Sequence, residues 1–205
     1  MSNPLISVII TCNNCKDSIG MTITSVINQY VSNIEIILID DCSSDNSPEI
    51  IKQFIEVDKR IIFLKNPIHS GSLFSRYKGL LVSKGNYVIN LNSGEYYSSP
   101  FVFDRLLQNI GGYDLMMFKA INKEGENYFL TPKELEMNNY EYSEEKTFVK
   151  MRGEKKIDLD VNEMKLSTNF IRRSAYLNSY NLLDKNYLYM NASLDDKIEN
   201  KSNSN

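Results

Sequence analysis

The side chains of this 205-residue chain that are best suited to chemistry directly follow apolar runs. Asp40 and Asp41 end the run at 34–39, and a carboxylate there can accept a hydrogen bond from an imide N–H or a ribose hydroxyl. Arg76 could neutralise a diphosphate through its forked guanidinium. Glu95 is the one carboxylate in the stretch NLNSGEYY, and hard cations prefer carboxylate oxygen. These residue types favour the binding of a nucleotide diphosphate.

A second set of side chains could bind a softer metal. Cys12 and Cys15 form a C-x-x-C pair, and Cys42 and His69 also follow predicted strands. Together they have the composition of a Cys₃His zinc site. The ligands beyond the C-x-x-C pair are far apart in sequence, so buried and inert thiols are the favoured interpretation, with zinc as the alternative.

The strands that must position these residues are near-continuous apolar runs. The runs at 5–11 and 34–39 are rich in β-branched residues and end in polar turns, which is typical of strands covered on both faces of a parallel sheet. Apolar residues at helical spacing lie between them, so the segment forms a βαβ unit. The pattern predicts strands at 5–11, 34–39, 60–64, 87–91 and 113–120, and helices at 17–30, 70–82 and from residues 47 and 99 onward.

The chain is expected to form one domain with two unlike halves. Residues 1–120 alternate strands and helices and form the nucleotide-binding α/β half. Residues 121–196 are charged and turn-rich at first, which predicts hairpins and loops on the acceptor side of the same domain. Residues 197–205 form a polar tail that is expected to be disordered.

Charge and hydropathy exclude several classes of partner. A formal charge of −3 and a pI near 5.3 provide no basic surface for nucleic acid. No apolar run is long enough for a membrane span, and the amino terminus does not resemble a signal peptide. Three cysteines are an odd number without a regular framework, which predicts reduced thiols and a cytoplasmic protein.

Several motifs occur in order between residues 4 and 97: PLISVII, NN, SVINQY, NIEIILIDDCSSDNSPEII, RYKGL and KGNYVINL. This series closely resembles the amino-terminal half of family 2 glycosyltransferases of the GT-A fold, a Rossmann-like, mostly parallel sheet flanked by helices. The resemblance implies transfer of a sugar from a UDP-sugar to an acceptor hydroxyl, with inversion. It implies that Thr11 and Asn13 contact the base, that Asp41 with Asp40 reads uracil, and that Arg76 meets the nucleotide.

The sequence departs from the family pattern at functional positions. A proline and a tyrosine after the first strand are replaced by Thr11 and Asn13, which removes an aromatic ring that would stack on the base. The family's D-x-D motif, which binds Mn²⁺ or Mg²⁺, becomes Asn92-Ser93-Gly94. Asn92 could still bond ribose, and Glu95 is the candidate metal ligand. Either a metal near Glu95 or Arg76 alone would then stabilise the departing diphosphate.

The resemblance also implies a general base near the carboxyl terminus. In the family, an aspartate of a late acidic pair takes the proton from the acceptor hydroxyl. Leu194-Asp195-Asp196 is the candidate here, with Asp196 as the base and Asp195 as the second choice. The alternative to an active enzyme is a catalytically inactive GT-A protein with a binding, scaffold or regulatory role.

Overall fold

The computed structural model describes residues 3–118, 120–121, 127–128, 140–142, 148–151 and 169–181, with side-chain surroundings for 3–116 and 170–178. Within these residues the strands are β1 Ile6–Cys12, β2 Ile34–Asp40, β3 Ile61–Lys65, β4 Tyr87–Asn92, β5 Leu115–Phe118, β6 Ala120–Ile121, β7 Asn127–Tyr128, β8 Tyr140–Tyr142, β9 Phe148–Met151 and β10 Asn169–Arg172. The helices are α1 Ile19–Ile27, α2 Ser47–Val57, α3 Ser72–Val82, α4 Val102–Ile110 and α5 Arg173–Asn181.

Eight of these strands form one sheet in the order β3-β2-β1-β4-β10-β5-β9-β8. The first four are parallel, as the apolar runs predict, and every residue of β1 and β2 is buried. β10 is antiparallel to both β4 and β5, and β9 and β8 continue in antiparallel fashion. The sheet is therefore mixed, with the predicted parallel half on one side and an antiparallel half on the other.

Helices cover the parallel half on both faces, and alternate residues of β1 show which helix lies on which face. Val8 and Ile10 belong to a core formed with apolar side chains of α1, α2 and α4. Ile9 belongs to a second core formed with Leu73 and Leu80 of α3 and with side chains of α5. This period of two is the expected consequence of a pleated strand buried on both sides. The α/β prediction for the amino-terminal half is confirmed.

The ends of several elements differ from the predictions. α1 covers less than the predicted 17–30, and α4 begins at Val102 rather than at residue 99. β5 covers 115–118 of the predicted 113–120. Between residues 120 and 151, β6 pairs with β7 and β8 with β9, both antiparallel, as hairpins require. Helix and strand ends are the least determined part of such patterns because capping and packing decide them.

Two glycines allow close approaches that shape the parallel half. A Cβ on Gly79 of α3 would lie 2.7 Å from a methyl carbon of Ile9, so α3 packs directly against β1. A Cβ on Gly85 would lie 2.5 Å from the backbone nitrogen of Ser7. The Gly85 N–H also donates to the Ser7 hydroxyl at 2.8 Å, which fixes the loop that leads into β4.

No described helix is both long and apolar enough to cross a membrane.

Candidate functional site

The candidate site lies at the carboxyl edge of the parallel strands. The register places Thr11 of β1 opposite Asn92 of β4, and Cys12 opposite Asp40 of β2. Loop amides and side chains collect at this edge because the strands are parallel and end together. The predicted residues on these strands, on the loops that follow them and on α3 therefore share one region of the molecule.

The carboxylate of Asp41 holds the loop that precedes α3. Its Oδ1 accepts from Asn66 Nδ2 at 2.6 Å and from the Ser70 N–H at 3.0 Å. Its Oδ2 accepts from the Gly71 N–H at 2.7 Å and lies 2.9 Å from His69 Nδ1. A carboxylate only accepts, so Nδ1 of His69 carries the hydrogen in this contact. Asp41 is 3% exposed. The carboxylate thus has a structural role in the loop, and its reading of uracil stays a prediction.

Asp40 is buried, and its carboxylate has few hydrogen-bond partners among the described residues. Its Oδ1 accepts from the Ser43 N–H at 3.1 Å. Its Oδ2 has no hydrogen-bond partner among the described residues and lies 3.5 Å from the ammonium of Lys65, which is half exposed. A buried carboxylate oxygen without a hydrogen bond is uncommon and leaves an acceptor for a ligand or a water molecule.

The loop after β1 contacts the loop after β2 through two asparagines. The Asn13 side chain is exposed, and its Nδ2 donates to the Asp41 carbonyl at 2.6 Å. Asn14 adopts a φ of 49°, and its Oδ1 accepts from the Ser44 N–H at 2.9 Å while its N–H donates to the Ser43 hydroxyl at 2.9 Å. Asn14 was not among the predicted site residues. The signal for it was its type, since asparagine tolerates left-handed backbone better than most residues.

Arg76 of α3 reaches across to the end of β4. Its Nη2 donates to Asn92 Oδ1 at 2.6 Å. Its Nε is buried and has no hydrogen-bond partner among the described residues. The two predicted binding residues are therefore in direct contact, and the guanidinium is oriented by a neutral amide.

The turn after β4 is closed by its own side chains. The Asn92 N–H donates to Glu95 Oε2 at 2.8 Å, and the Glu95 N–H donates back to the Asn92 carbonyl at 3.0 Å. Gly94 has a φ of 95°, and its N–H donates to the Thr22 hydroxyl at 2.9 Å. Within the described ranges no group of three or more His, Cys, Asp or Glu side chains is placed to hold a metal ion. One carboxylate already bonded to the backbone is a poor fit to Mn²⁺ or Mg²⁺, which favour several oxygen ligands.

The pKa values of Tyr97 and Asp45 are shifted by their surroundings. Burial raises the pKa of the Tyr97 phenol well above its usual range, and the charge on Glu95 adds to the rise. Burial also raises the pKa of Asp45, but hydrogen bonds from Ser47 and from the Lys16 N–H outweigh it, so the pKa of Asp45 is lowered. Tyr97 stays neutral and Asp45 charged near neutral pH.

The cysteines differ from the prediction of reduced thiols. Cys12 and Cys15 are joined by a disulfide across the loop after β1, and Cys42 remains free. The prediction failed because C-x-x-C spacing suits both a metal site and a bridge, and folding brings the two Cα atoms within 6.0 Å. The bridge also removes two thiolates from the alternative zinc site. The cytoplasmic location stays a prediction, without its argument from reduced cysteines.

Asp196 and Asp195 both lie outside the described residues. The described segment closest to them in sequence is α5, which packs on the α3 face of the sheet through Tyr176. The role of the acidic pair stays a prediction.

Comparison with known proteins places the chain in a family. The model of glycosyl transferase family 2 matches residues 7–179. The chain is similar to an Escherichia coli protein named UDP-Glc:alpha-D-GlcNAc-diphosphoundecaprenol beta-1,3-glucosyltransferase WfaP, with 41% identity over 102 residues. That match covers 50% of this chain and 40% of WfaP, so the chain spans well under half of that relative's length.

Solved structures share the fold at low identity. S. aureus TarS 1-349, in complex with UDP-GlcNAc, superposes with a TM-score of 0.63 at 16% identity and covers 86% of this chain and 47% of TarS. The mannosyltransferase PcManGT from Pyrobaculum calidifontis, in complex with GDP-Man and Mn²⁺, gives a TM-score of 0.51 at 13% identity, covering 56% of this chain and 35% of PcManGT. These likenesses confirm the predicted GT-A fold. With a family match that spans most of its length, the chain belongs to glycosyl transferase family 2.

Proposed function

We propose that this chain binds a UDP-sugar and transfers the sugar to an acceptor hydroxyl with inversion. The observation that carries the proposal is the direct contact between Arg76 and Asn92 at the carboxyl edge, next to Thr11 in the register. A cationic donor fork at the end of parallel strands is suited to a diphosphate. The name of WfaP and the UDP-GlcNAc complex of TarS support a UDP-linked donor, and the GDP-Man complex of PcManGT supplies the competing one.

In this proposal, different residues at the carboxyl edge contact the base, the ribose and the diphosphate of the nucleotide. Thr11 and Asn13 contact the base, and Asp41 with Asp40 reads the uracil imide. The unbonded Oδ2 of Asp40 supports an acceptor role at this position, because an imide N–H would supply its missing hydrogen bond. Asn92 lies near the ribose, and Arg76 meets the diphosphate.

The transfer step needs a base on the acceptor side. Asp196, or Asp195 as the second choice, takes the proton from the acceptor hydroxyl. The acceptor oxygen then attacks the anomeric carbon from the face opposite the nucleotide, and the bond to UDP breaks with the electron pair leaving on the diphosphate. The acceptor hydroxyl belongs to a glycan, a lipid or a protein.

A bound Mn²⁺ or Mg²⁺ would neutralise the leaving diphosphate as a Lewis acid, with Glu95 as its ligand. The described residues fit that ion poorly, since Glu95 Oε2 already accepts from the Asn92 N–H. The proposed steps therefore use only the chain's own side chains.

A calorimetric titration of UDP into the purified protein, with GDP as the matched comparison and with each nucleotide measured in EDTA and in Mn²⁺, tests the donor class. We expect heat with UDP and at least about tenfold weaker binding of GDP, because GDP carries a larger, purine base. Asp196→Asn should keep UDP binding and abolish transfer or donor hydrolysis. Full turnover in that variant would overturn the assignment of the base.

The second candidate is a catalytically inactive GT-A protein with a binding, scaffold or regulatory role. Two observations at the edge favour it: the metal motif reads Asn92-Ser93-Gly94, and the carboxylate of Asp41 is bonded to the loop that precedes α3. Absence of UDP and GDP binding in both EDTA and Mn²⁺ would establish this candidate over the first.

A further inference from the structure

The positive charge of Arg76 has no acidic partner among the described residues. Nη2 donates to the amide oxygen of Asn92 at 2.6 Å, and the buried Nε bonds to nothing within the described ranges. An amide oxygen accepts a hydrogen bond but carries no formal charge to offset a cation. The guanidinium is therefore held in place while no described carboxylate offsets its charge.

The same turn offers little to a divalent cation. Gly94 has no side chain, the Ser93 N–H donates to the Thr11 carbonyl at 3.2 Å, and Glu95 closes the turn on the Asn92 N–H. A divalent ion here would find one carboxylate and would lie near the Arg76 guanidinium, since Glu95 and Arg76 both contact Asn92. Like charges at such short range repel, and the repulsion is strongest where water is excluded.

From these two observations we infer that Arg76 neutralises the donor diphosphate in place of a divalent metal ion, and that Asn92 is a positioning residue that orients Arg76 without cancelling its charge. The inference rests on the proposed function and deepens it. An aspartate at position 92 would act in the opposite way. It would form an ion pair with Arg76 and would also add a carboxylate that a metal can use.

The test compares UDP affinity in EDTA and in Mn²⁺ for the unmodified chain, Asn92→Asp and Asn92→Ala. The unmodified chain should bind equally in both conditions, within about threefold. Asn92→Asp should bind about tenfold more weakly in EDTA and should regain affinity in Mn²⁺, since one charge-assisted contact is lost and one metal ligand is gained. Asn92→Ala keeps the charge of Arg76, so it should lose about threefold and should not respond to Mn²⁺.

Arg76 supplies an independent pair of variants. Arg76→Gln should weaken UDP binding about 10- to 100-fold in both conditions, the usual size of a lost charge-assisted contact. Arg76→Lys should recover part of that loss because it restores the charge but not the forked geometry. Far-UV circular dichroism of each variant checks that the fold is kept, and the Arg76 pair decides the matter if a variant at position 92 fails to fold.

Three results would overturn the inference. One is a rise of about tenfold or more in UDP affinity when Mn²⁺ is added to the unmodified chain. Another is Asn92→Asp binding UDP in EDTA as tightly as the unmodified chain, and the third is Arg76→Gln with unchanged affinity. The first two outcomes leave the proposed function intact, and the third removes Arg76 from the diphosphate contact but leaves UDP as the donor. Loss of UDP binding by the unmodified chain in both conditions would refute the UDP donor and this inference together.

Discussion

Replacing Asp41 by asparagine should destabilise the protein far more than the same replacement at Asp40. The carboxylate of Asp41 accepts from groups of four residues, 66, 69, 70 and 71, and these contacts are divided between its two oxygens. Asparagine has an oxygen in place of one carboxylate oxygen and an NH₂ group, which donates hydrogen bonds, in place of the other. Whichever oxygen is kept, donors of the loop before α3 then face an NH₂ group.

The size of the effect follows from those contacts. Hydrogen bonds to a charged group contribute about 1.5–3 kcal/mol each, and neighbouring contacts do not add fully. We therefore expect Asp41→Asn to lose about 3 kcal/mol of the free energy of unfolding, a large share of the roughly 5–15 kcal/mol of an ordinary domain. Asp40→Asn keeps its single bond to the Ser43 N–H and loses only a 3.5 Å contact with half-exposed Lys65, so its change should stay below about 1 kcal/mol.

Urea unfolding followed by far-UV circular dichroism measures both variants, since the chain has no tryptophan for fluorescence. The two proteins differ by the same chemical change at adjacent, buried positions, which makes Asp40→Asn the matched control. Equal losses in both variants, or a smaller loss in Asp41→Asn, would refute the reasoning that the loop before α3 depends on the carboxylate of Asp41.

Three further changes test other parts of the fold. Tyr97→Phe should raise the free energy of unfolding by about 1 kcal/mol in the same urea assay, because the phenol oxygen is buried without a hydrogen-bond partner among the described residues. Gly85→Ala should lower the free energy of unfolding by about 2–3 kcal/mol, because the added Cβ would meet backbone atoms. Gly20→Ala, whose Cβ has room, should be neutral or stabilising, and similar melting temperatures for the two variants would contradict this. The hydrogen bond from Arg60 outweighs burial and lowers the pKa of Asp58 below 3.8. The ionised Asp58 therefore stabilises the folded protein above about pH 3.8, and this stabilisation is lost as the pH falls through the lowered pKa. Unfolding free energies from about pH 5 to about pH 2.5 should therefore fall less steeply in Asp58→Asn.

The parallel half could be predicted because its signals are local. Each apolar run of β1 and β2 is buried on both faces, and the helix between them, α1, shows its hydrophobic period within its own residues. The position of β10 could not be predicted in this way. Four residues of β10 lie between β4 and β5 and reverse the direction of the sheet, and that choice depends on pairing between segments far apart in sequence.

The candidate site divides along the same line. Its location followed from the rule that parallel strands end at one edge, and the residues were recognisable by type. Their partners were not, since Asp41 meets a loop 25 to 30 residues away and Arg76 meets a residue 16 positions away. The disulfide of Cys12 and Cys15 lay within a recognised motif, but only the backbone path decides between a bridge and a metal.

These contacts determine which variants can report on function. Asp41 and Asn13 hold loops of the site as well as standing at positions implied to touch the base, so a loss of UDP binding in their variants combines lost contacts with a displaced loop. Arg76 and Asn92 differ, because the side-chain hydrogen bond found for them among the described residues joins them to each other at the end of β4. The charge at those two positions can be changed with little effect on the loops around them. A change in affinity at Arg76 can therefore be attributed to the diphosphate, and a change at Asn92 to the orientation of Arg76 or to the ribose contact.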